Sequence, residues 1–223
     1  MSRDHLVSHP VAAAHEHEPA AQVVDFLQDN GRNLLIGVAV VAVVVVGAIL
    51  YRSSTSSADK AASAAVAQAY DRLTKGQNDQ ASASLNEVVQ KYGGTRSGNQ
   101  ARMLLGNLEL GKGNAAAAQP QFSAFLSHSS PTDYLWSGGQ RGLAASLENL
   151  GKPAEAAAAY EKLLQAPLGD EERARALLDA ARTWGDAGSK DKGVALCDRV
   201  IKEFGTTRSV TNAKLLKAEL GGK

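Results

Sequence analysis

The chain has 223 residues, 24 Lys+Arg against 23 Asp+Glu, a net charge of +1 and a single cysteine. The near-neutral balance argues against bulk electrostatic binding of nucleic acid. One cysteine excludes an internal disulfide framework and any Cys-cluster zinc or iron–sulfur site, and an Ala-rich, Gly-punctuated sequence points to helices rather than a β-sandwich or barrel.

Residues 1–33 read as a polar N-terminal tail. Residues 1–22 carry four of the five histidines, with Pro10 and Pro19. The string His15-Glu16-His17-Glu18 has metal-ligand chemistry, but adjacent ligands without a scaffold do not hold metal geometry, so no metal site is expected. Val23–Arg32 carries Val23, Val24, Phe26 and Leu27, enough apolar surface for a short interfacial turn.

Leu34 to Leu50 reads LLIGVAVVAVVVVGAIL, a charge-free run in which everything that is not Gly or Ala is Leu, Ile or Val. Extended to Tyr51, this is about 27 Å of helix, close to a hydrocarbon core of roughly 30 Å. Arg32 and Arg52 bracket the run, and Tyr51 stands where an interfacial aromatic belongs. The spacing predicts a transmembrane helix over 34–51. The preceding stretch is not basic, no clean A-x-A site follows, and the only cysteine is Cys197, so an uncleaved anchor is expected. Arg3 and Arg32 before the span balance Arg52 and Lys60 after it, so charge alone leaves the orientation open.

A linker is expected at 52–57, and a repeat domain over 58–223. Gly76, Gly113, Gly151 and Gly188 recur at a nearly constant interval. Five residues after each stands a small residue: Ala81, Ala118, Ala156 and Gly193. Four further on stands a larger apolar one: Leu85, Phe122, Tyr160 and Cys197. Twelve residues before each member of the small set is another small residue: Ala69, Gly106, Ala144 and Ala181. Small residues at constant offset on two antiparallel helices allow close approach, and the larger residue fills the gap to the next pair.

A second pattern agrees. KYGGTRSGNQAR at 91–102 matches EFGTTRSVTNAK at 203–214, an offset of three repeat intervals. In each, an aromatic ends a helix, a Gly caps it and a Ser/Thr stretch opens the next. The expected helix pairs lie near 58–92, 97–128, 133–166 and 170–204, with a capping helix at about 209–220. Pro120 should kink the second helix of unit two.

These positions resemble the tetratricopeptide pattern, in which L-G-x2-Y precedes A-x3-F. Unit two gives Leu105-Gly106-x2-Glu109 and Ala118-x3-Phe122; unit three gives Leu143-Ala144-x2-Leu147 and Ala156-x3-Tyr160. The expected fold is therefore all-α: a transmembrane helix, then a tetratricopeptide-like α-solenoid of about four helix pairs and a C-terminal cap.

Gly106 to Lys112 matches GxxxxGK, yet Gly113 follows where a phosphate loop needs Ser or Thr, and no strand precedes it. The repeat places Gly106 in a helix, so nucleotide binding is not expected. Cys197 reads as a small buried hydrophobe. His128 lacks a plausible Asp partner. Glu171–Glu172 suit a helix N-terminus. No catalytic residue, cofactor or metal is expected.

Stacked helix pairs leave a face lined mainly by the first helix of each pair. Residues offset from the small packing position should point there: Gln100, Met103 and Asn107 in unit two, Gly138 and Arg141 in unit three, and Arg175, Leu178 and Arg182 in unit four. Trp136, near a helix start, is added as an interface aromatic. Residues 52–223 carry 22 Lys+Arg and 18 Asp+Glu, a net of +4 that permits acidic partners.

Together, the polar tail, the junction DFLQDNGRNLLIGVAVV at 25–41, the valine-rich span, the Arg-Ser joint and the repeats resemble the YfgM-like proteins, ancillary subunits of the bacterial Sec translocon. The resemblance implies an inner-membrane protein with a cytoplasmic N-terminus and a periplasmic repeat domain. Its implied partners are translocon subunits, periplasmic chaperones or exported chains. An envelope-assembly or cell-division scaffold on the same fold is the alternative reading.

Overall fold

The computed structural model describes residues 19–221, with side chains at 43–48 and from residue 53 onward. The tail residues 1–18, His15–Glu18 among them, lie outside the described residues. The chain divides into two units, Met1–Ser54 and Thr55–Lys223. The helices are α1 (Pro19–Thr74), α2 (Asn78–Tyr92), α3 (Arg96–Gly111), α4 (Ala115–Ser127), α5 (Trp136–Asn149), α6 (Pro153–Lys162), α7 (Asp170–Asp186), α8 (Lys190–Glu203) and α9 (Ser209–Glu219). A short 3-10 turn, Leu163–Gln165, follows α6. Among the described residues there is no strand.

The expected span at 34–51 has helical backbone within α1, but the side chains at 34–42 and 49–51 lie outside the described residues. Among the described residues no helix is long and apolar enough to cross a membrane. Val43 to Val46 are between 49% and 72% exposed. The residues expected as a linker, 52–57, belong to α1, which runs on to Thr74.

In the second unit, the four period glycines are the turn between the helices of each pair. Gly76, Gly113, Gly151 and Gly188 all have positive φ, between 69° and 78°. The amides that follow them reach back five residues: Gln77 to Arg72, Asn114 to Glu109, Lys152 to Leu147, and Ser189 to Trp184, at 2.8–2.9 Å. The glycine amides bond three residues back, at 2.9–3.0 Å. This is the Schellman pattern, in which a left-handed residue satisfies the last carbonyls of a helix; glycine takes that conformation without a Cβ clash. Gly221 repeats the geometry after α9, with φ 88°. Thus α9 ends as the first helix of each pair ends.

The expected small residues sit where the helices meet. Ala69, Ala81, Ala118, Ala144, Ala156 and Ala181 are fully buried. A Cβ on Gly193 of α8 would stand 2.6 Å from the Ala181 carbonyl oxygen of α7. Phe122, fully buried, lies between pairs: its ring is 3.0 Å from a Cβ placed on Gly106 of α3 and would overlap one on Gly142 of α5. One turn along, Phe125 meets Gly139 in the same way. Pro120 stands inside α4, and the helix continues through it to Ser127.

The repeated TRS segment works by two devices. The Thr95 hydroxyl donates to the Tyr92 carbonyl and accepts from the Gly98 amide, and Thr207 donates in turn to the Phe204 carbonyl at 2.7 Å. Gly93 does cap α2, but with φ −60°, in the right-handed region. Its small size admits the Arg102 guanidinium, which donates to the Gly93 carbonyl.

Candidate interaction face

The helices α3, α5, α7 and α9 follow one another along one side of the array, and the first three carry all the residues expected on the face. Between α3 and α5, Met103 covers Gly138: a Cβ there would be 2.6 Å from the Met103 methyl. Between α5 and α7, Arg141 pairs with Asp179 at 3.2 Å, and Arg182 with Glu148 at 2.9 Å. Arg182 also pairs with Asp186 on its own helix at 3.1 Å. The Tyr160 hydroxyl donates to Glu148 at 2.6 Å from α6. Between α7 and α9, the Glu171 carboxylate accepts from the Arg208 amide at 2.9 Å and the Ser209 hydroxyl at 2.8 Å.

The electrostatics follow from partial burial. Burial raises the Asp179 carboxyl above its ordinary value, with Arg141 and Arg182 pulling against it. Burial also pushes the Tyr160 phenol well above its usual range, helped by its bond to Glu148. For Arg182, burial opposes the charge, but the Glu148 carboxylate more than offsets this. None of these shifts brings Tyr160 or Arg182 close to proton exchange at neutral pH. The network fixes side-chain directions, and such half-exposed pairs add at most about 1 kcal/mol each to stability.

Two hollows open on this part of the molecule. One, of about 410 Å³, is lined by Arg96, Asn99 and Gln100 at the start of α3 and by Ser129 and Tyr134 from the loop before α5. Tyr134 is 75% exposed, and the Gln100 amide donates to its hydroxyl at 3.3 Å. The other, of about 360 Å³, lies between α7 and α9.

The expected residues therefore distribute as follows. Gln100 lines the first hollow, and Arg175, Leu178 and Arg182 line the second. Met103 and Arg141 bridge neighbouring helices, and Asn107 is exposed on α3. Trp136 is only 5% exposed and belongs to the core around α5–α8. It opens α5 from a position that faces inward, so an aromatic near a helix start is here a packing residue. Trp184, half-buried, packs against the same core, donates to Glu161 at 2.6 Å and carries the Lys192 ammonium 3.9 Å from its ring centre.

Sequence reasoning missed Arg208 just before α9, Asn212 and Leu216 on α9, and Tyr134. The α9 residues were within reach of the repeat: Asn212 and Leu216 lie one repeat interval after Arg175 and Leu178. Tyr134 sits in a loop, where the helical period gives no signal. The residues with catalytic potential have other uses. Gly106 packs on Phe122 inside α3, and Lys112 pairs with Asp79 at 2.9 Å. Cys197 is fully buried, its thiol pushed up to about 11 chiefly by that burial. His128 caps α4, its Nδ1 3.0 Å from the Ala124 carbonyl.

Comparison with known proteins bears on the same helices. A family model described as a tetratricopeptide repeat-like domain matches residues 25–136, and a tetratricopeptide repeat model matches 141–206. No curated protein matches the chain. Among solved structures, the nearly identical TPR-like repeats of a Podosopora anserina protein assigned to the kinesin light chains are similar, with TM-score 0.56 and 17% identity over 70% of this chain and 83% of that one. A tetratricopeptide repeat protein from Parabacteroides merdae superposes with TM-score 0.59 and 16% identity, over 72% of this chain and 60% of that one. At such identities the likeness is one of fold.

Proposed function

Because the chain belongs to the tetratricopeptide repeat-like family, we propose that it is a membrane-anchored protein-interaction adaptor, an ancillary factor of the Sec translocon and periplasmic chaperone network. The observation that carries the adaptor reading is the α3–α5–α7–α9 face. Arginines and leucines stand there half-exposed beside two open hollows, and the polar groups are held in place by cross-helix bonds without forming an acid–base centre. A rigid face of this kind binds by shape and charge, with a few side chains carrying most of the affinity.

Two observations support the anchor. The charge-free run at 34–51 is long enough to span a bilayer, and Val43 to Val46 present apolar surface that protein does not cover. The resemblance of the junction at 25–41 to the YfgM-like proteins supports the orientation: N-terminus in the cytoplasm, repeats in the periplasm, and translocon subunits, chaperones or exported chains as partners.

Two measurements test this reading. In intact spheroplasts, added protease should digest the repeat domain, followed with an antibody against residues 200–223. Protection until lysis would place the repeats in the cytoplasm and overturn the orientation. In the same cells, a photo-crosslinking amino acid at Met103, Asn107 or Arg182 should capture translocon or chaperone subunits, and one at exposed Gln90 on α2 should not. Capture of cell-division or outer-membrane assembly proteins instead would favour the scaffold reading. No crosslink from any position on the face would remove the adaptor reading altogether.

A further inference from the structure

The α7–α9 hollow differs from the rest of the face in its charge. Arg141 and Arg182 each have a carboxylate on the neighbouring helix. Arg175 and Arg208, both exposed at the hollow, have none within ion-pairing distance among the described residues. Glu171 is electrostatically coupled to both arginines, and Asp179 is coupled to Arg175 as well. Yet both Glu171 oxygens are already engaged, one by the Ser209 hydroxyl and the other by the Arg208 amide. The repeat offset explains why neither neighbouring helix brings Arg175 a carboxylate. One interval before it stands Gly138, on α5, and one interval after it stands Asn212, on α9. Neither carries a charge.

Three arginines (Arg175, Arg182, Arg208) thus line a space that holds two carboxylates, Glu171 and Asp179, and Asp179 is tied to Arg141. Leu178 of α7 and Leu216 of α9 line the same hollow and are only partly covered. Guanidinium groups without an ion-paired carboxylate, beside partly covered leucines, suit a ligand that brings carboxylates and an aliphatic side chain together.

We propose that the α7–α9 hollow docks an acidic, leucine-bearing segment of a partner protein, with Arg175 and Arg208 receiving its carboxylates and Leu178 and Leu216 its apolar side chain. This rests on the adaptor reading and names the chemistry of the partner at one site. The two arginines give selectivity against basic and neutral segments, and the leucines fix the segment's register.

The test uses the full chain in mild detergent and a fluorescein-labelled peptide of Glu-Glu-Leu-Ala repeats, with Gln-Gln-Leu-Ala and Lys-Lys-Leu-Ala peptides as comparators. Fluorescence anisotropy should show the acidic peptide binding at least about tenfold more tightly than the neutral one. Added salt should narrow that gap. The paired variant R175Q/R208Q should remove the preference while its helical circular dichroism stays unchanged. Leu178→Ser should weaken both peptides alike. Equal binding of the acidic and neutral peptides, or an acidic preference that survives R175Q/R208Q, overturns the proposal. So does binding of phosphatidylglycerol vesicles that R175Q/R208Q abolishes in the absence of any peptide binding. If no peptide binds while crosslinks at Met103 and Asn107 persist in cells, this proposal fails and the adaptor reading stands; if those crosslinks are also missing, the adaptor reading fails with it.

Discussion

Phe122 shows how much a single position decides in this array. Its ring fills the space that Gly106 on α3 and Gly142 on α5 leave open, so it joins two helix pairs while belonging to one. A methyl at position 142 would overlap the ring, which has no flexible end to swing aside. Gly142→Ala is expected to destabilise by roughly 1–3 kcal/mol through overpacking. Gly113→Ala should cost a similar ~1–2 kcal/mol for a different reason: there is open space around it, but φ of 78° is unfavourable for a residue with a Cβ. Urea unfolding of the two variants measures both losses, and Phe122→Leu separates them. It should rescue Gly142→Ala by relieving the overlap, and it should do nothing for Gly113→Ala. At this scale the sequence was informative where spacing sufficed. The turn glycines, the small packing residues and the buried Phe122 all follow from the period. Glu109 does not: it occupies the aromatic position of the pattern yet is buried, accepting from the Ser82 hydroxyl at 2.5 Å and the Asn114 amide at 3.1 Å. A carboxylate tolerates that site because these two donors reach it and the Lys112 ammonium lies 3.7 Å away.

Between elements, acidic side chains of one repeat cap the first helix of the next. Asp59 of α1 accepts from the Ser97 amide at the start of α3 at 2.7 Å. Glu171 of α7 does the same for α9. The two acids are separated by the same interval as Ser97 and Ser209, so the caps belong to the repeated TRS segment. Glu171 and Glu172, read in the sequence as a pair serving one helix start, divide the work. Glu172 accepts from the Gly169 amide at 3.1 Å and caps α7, and Glu171 reaches across to α9. The amide of Ser97 holds Asp59 below its ordinary 3.8, and the hydroxyl of Ser209 holds Glu171 below its ordinary 4.5. A carboxylate depressed in the folded state stabilises above its unfolded value, and that contribution is lost as pH falls through the folded value. The double variant Asp59→Ala/Glu171→Ala should therefore unfold at lower urea than the wild type near pH 7. The two should converge as pH falls below the ordinary values of the two carboxyls, 3.8 and 4.5. Asp179, raised by burial, works in the opposite direction, but it is present in both proteins and cancels in the difference. A gap that stays constant down to acid pH would assign the caps no electrostatic role.

At the scale of the repeat domain, the core falls into two clusters. One gathers Ala62, Val66 and Ala69 of α1 with Leu85, Val88, Ala101 and Leu105. The other runs from Trp136 to Ala213 through α5–α9. Contacts in such arrays are between neighbours, so local destabilisation stays local unless the interface transmits it. Leu177→Ala, at a fully buried position of the second cluster, should cost about 2–5 kcal/mol. In hydrogen exchange, amides of α5–α8 should lose protection strongly while those of α2 and α3 lose little. Equal loss in both regions would mean that Phe122 and Phe125 couple the clusters into one cooperative unit.

The helical class, the number of pairs, the turns and the packing positions are all legible along the chain. Each of these depends on local chemistry repeated at a fixed period: a left-handed glycine, a small residue at a helix crossing, a larger one four residues on. The period also placed Arg175, Leu178 and Arg182 together beside one hollow, because they lie at constant steps from those positions. Which charges meet depends on how the helices pack. Arg141 finds Asp179, and Arg182 finds Glu148, across α5 and α7, whereas Arg175 and Arg208 have no carboxylate within ion-pairing distance among the described residues. Packing also turned Trp136 inward and made α9 one wall of the α7–α9 hollow. Pairing and burial depend on what the neighbouring repeat brings within a few ångströms, and a period read along one chain carries the position of a side chain but not the identity of the group it will face.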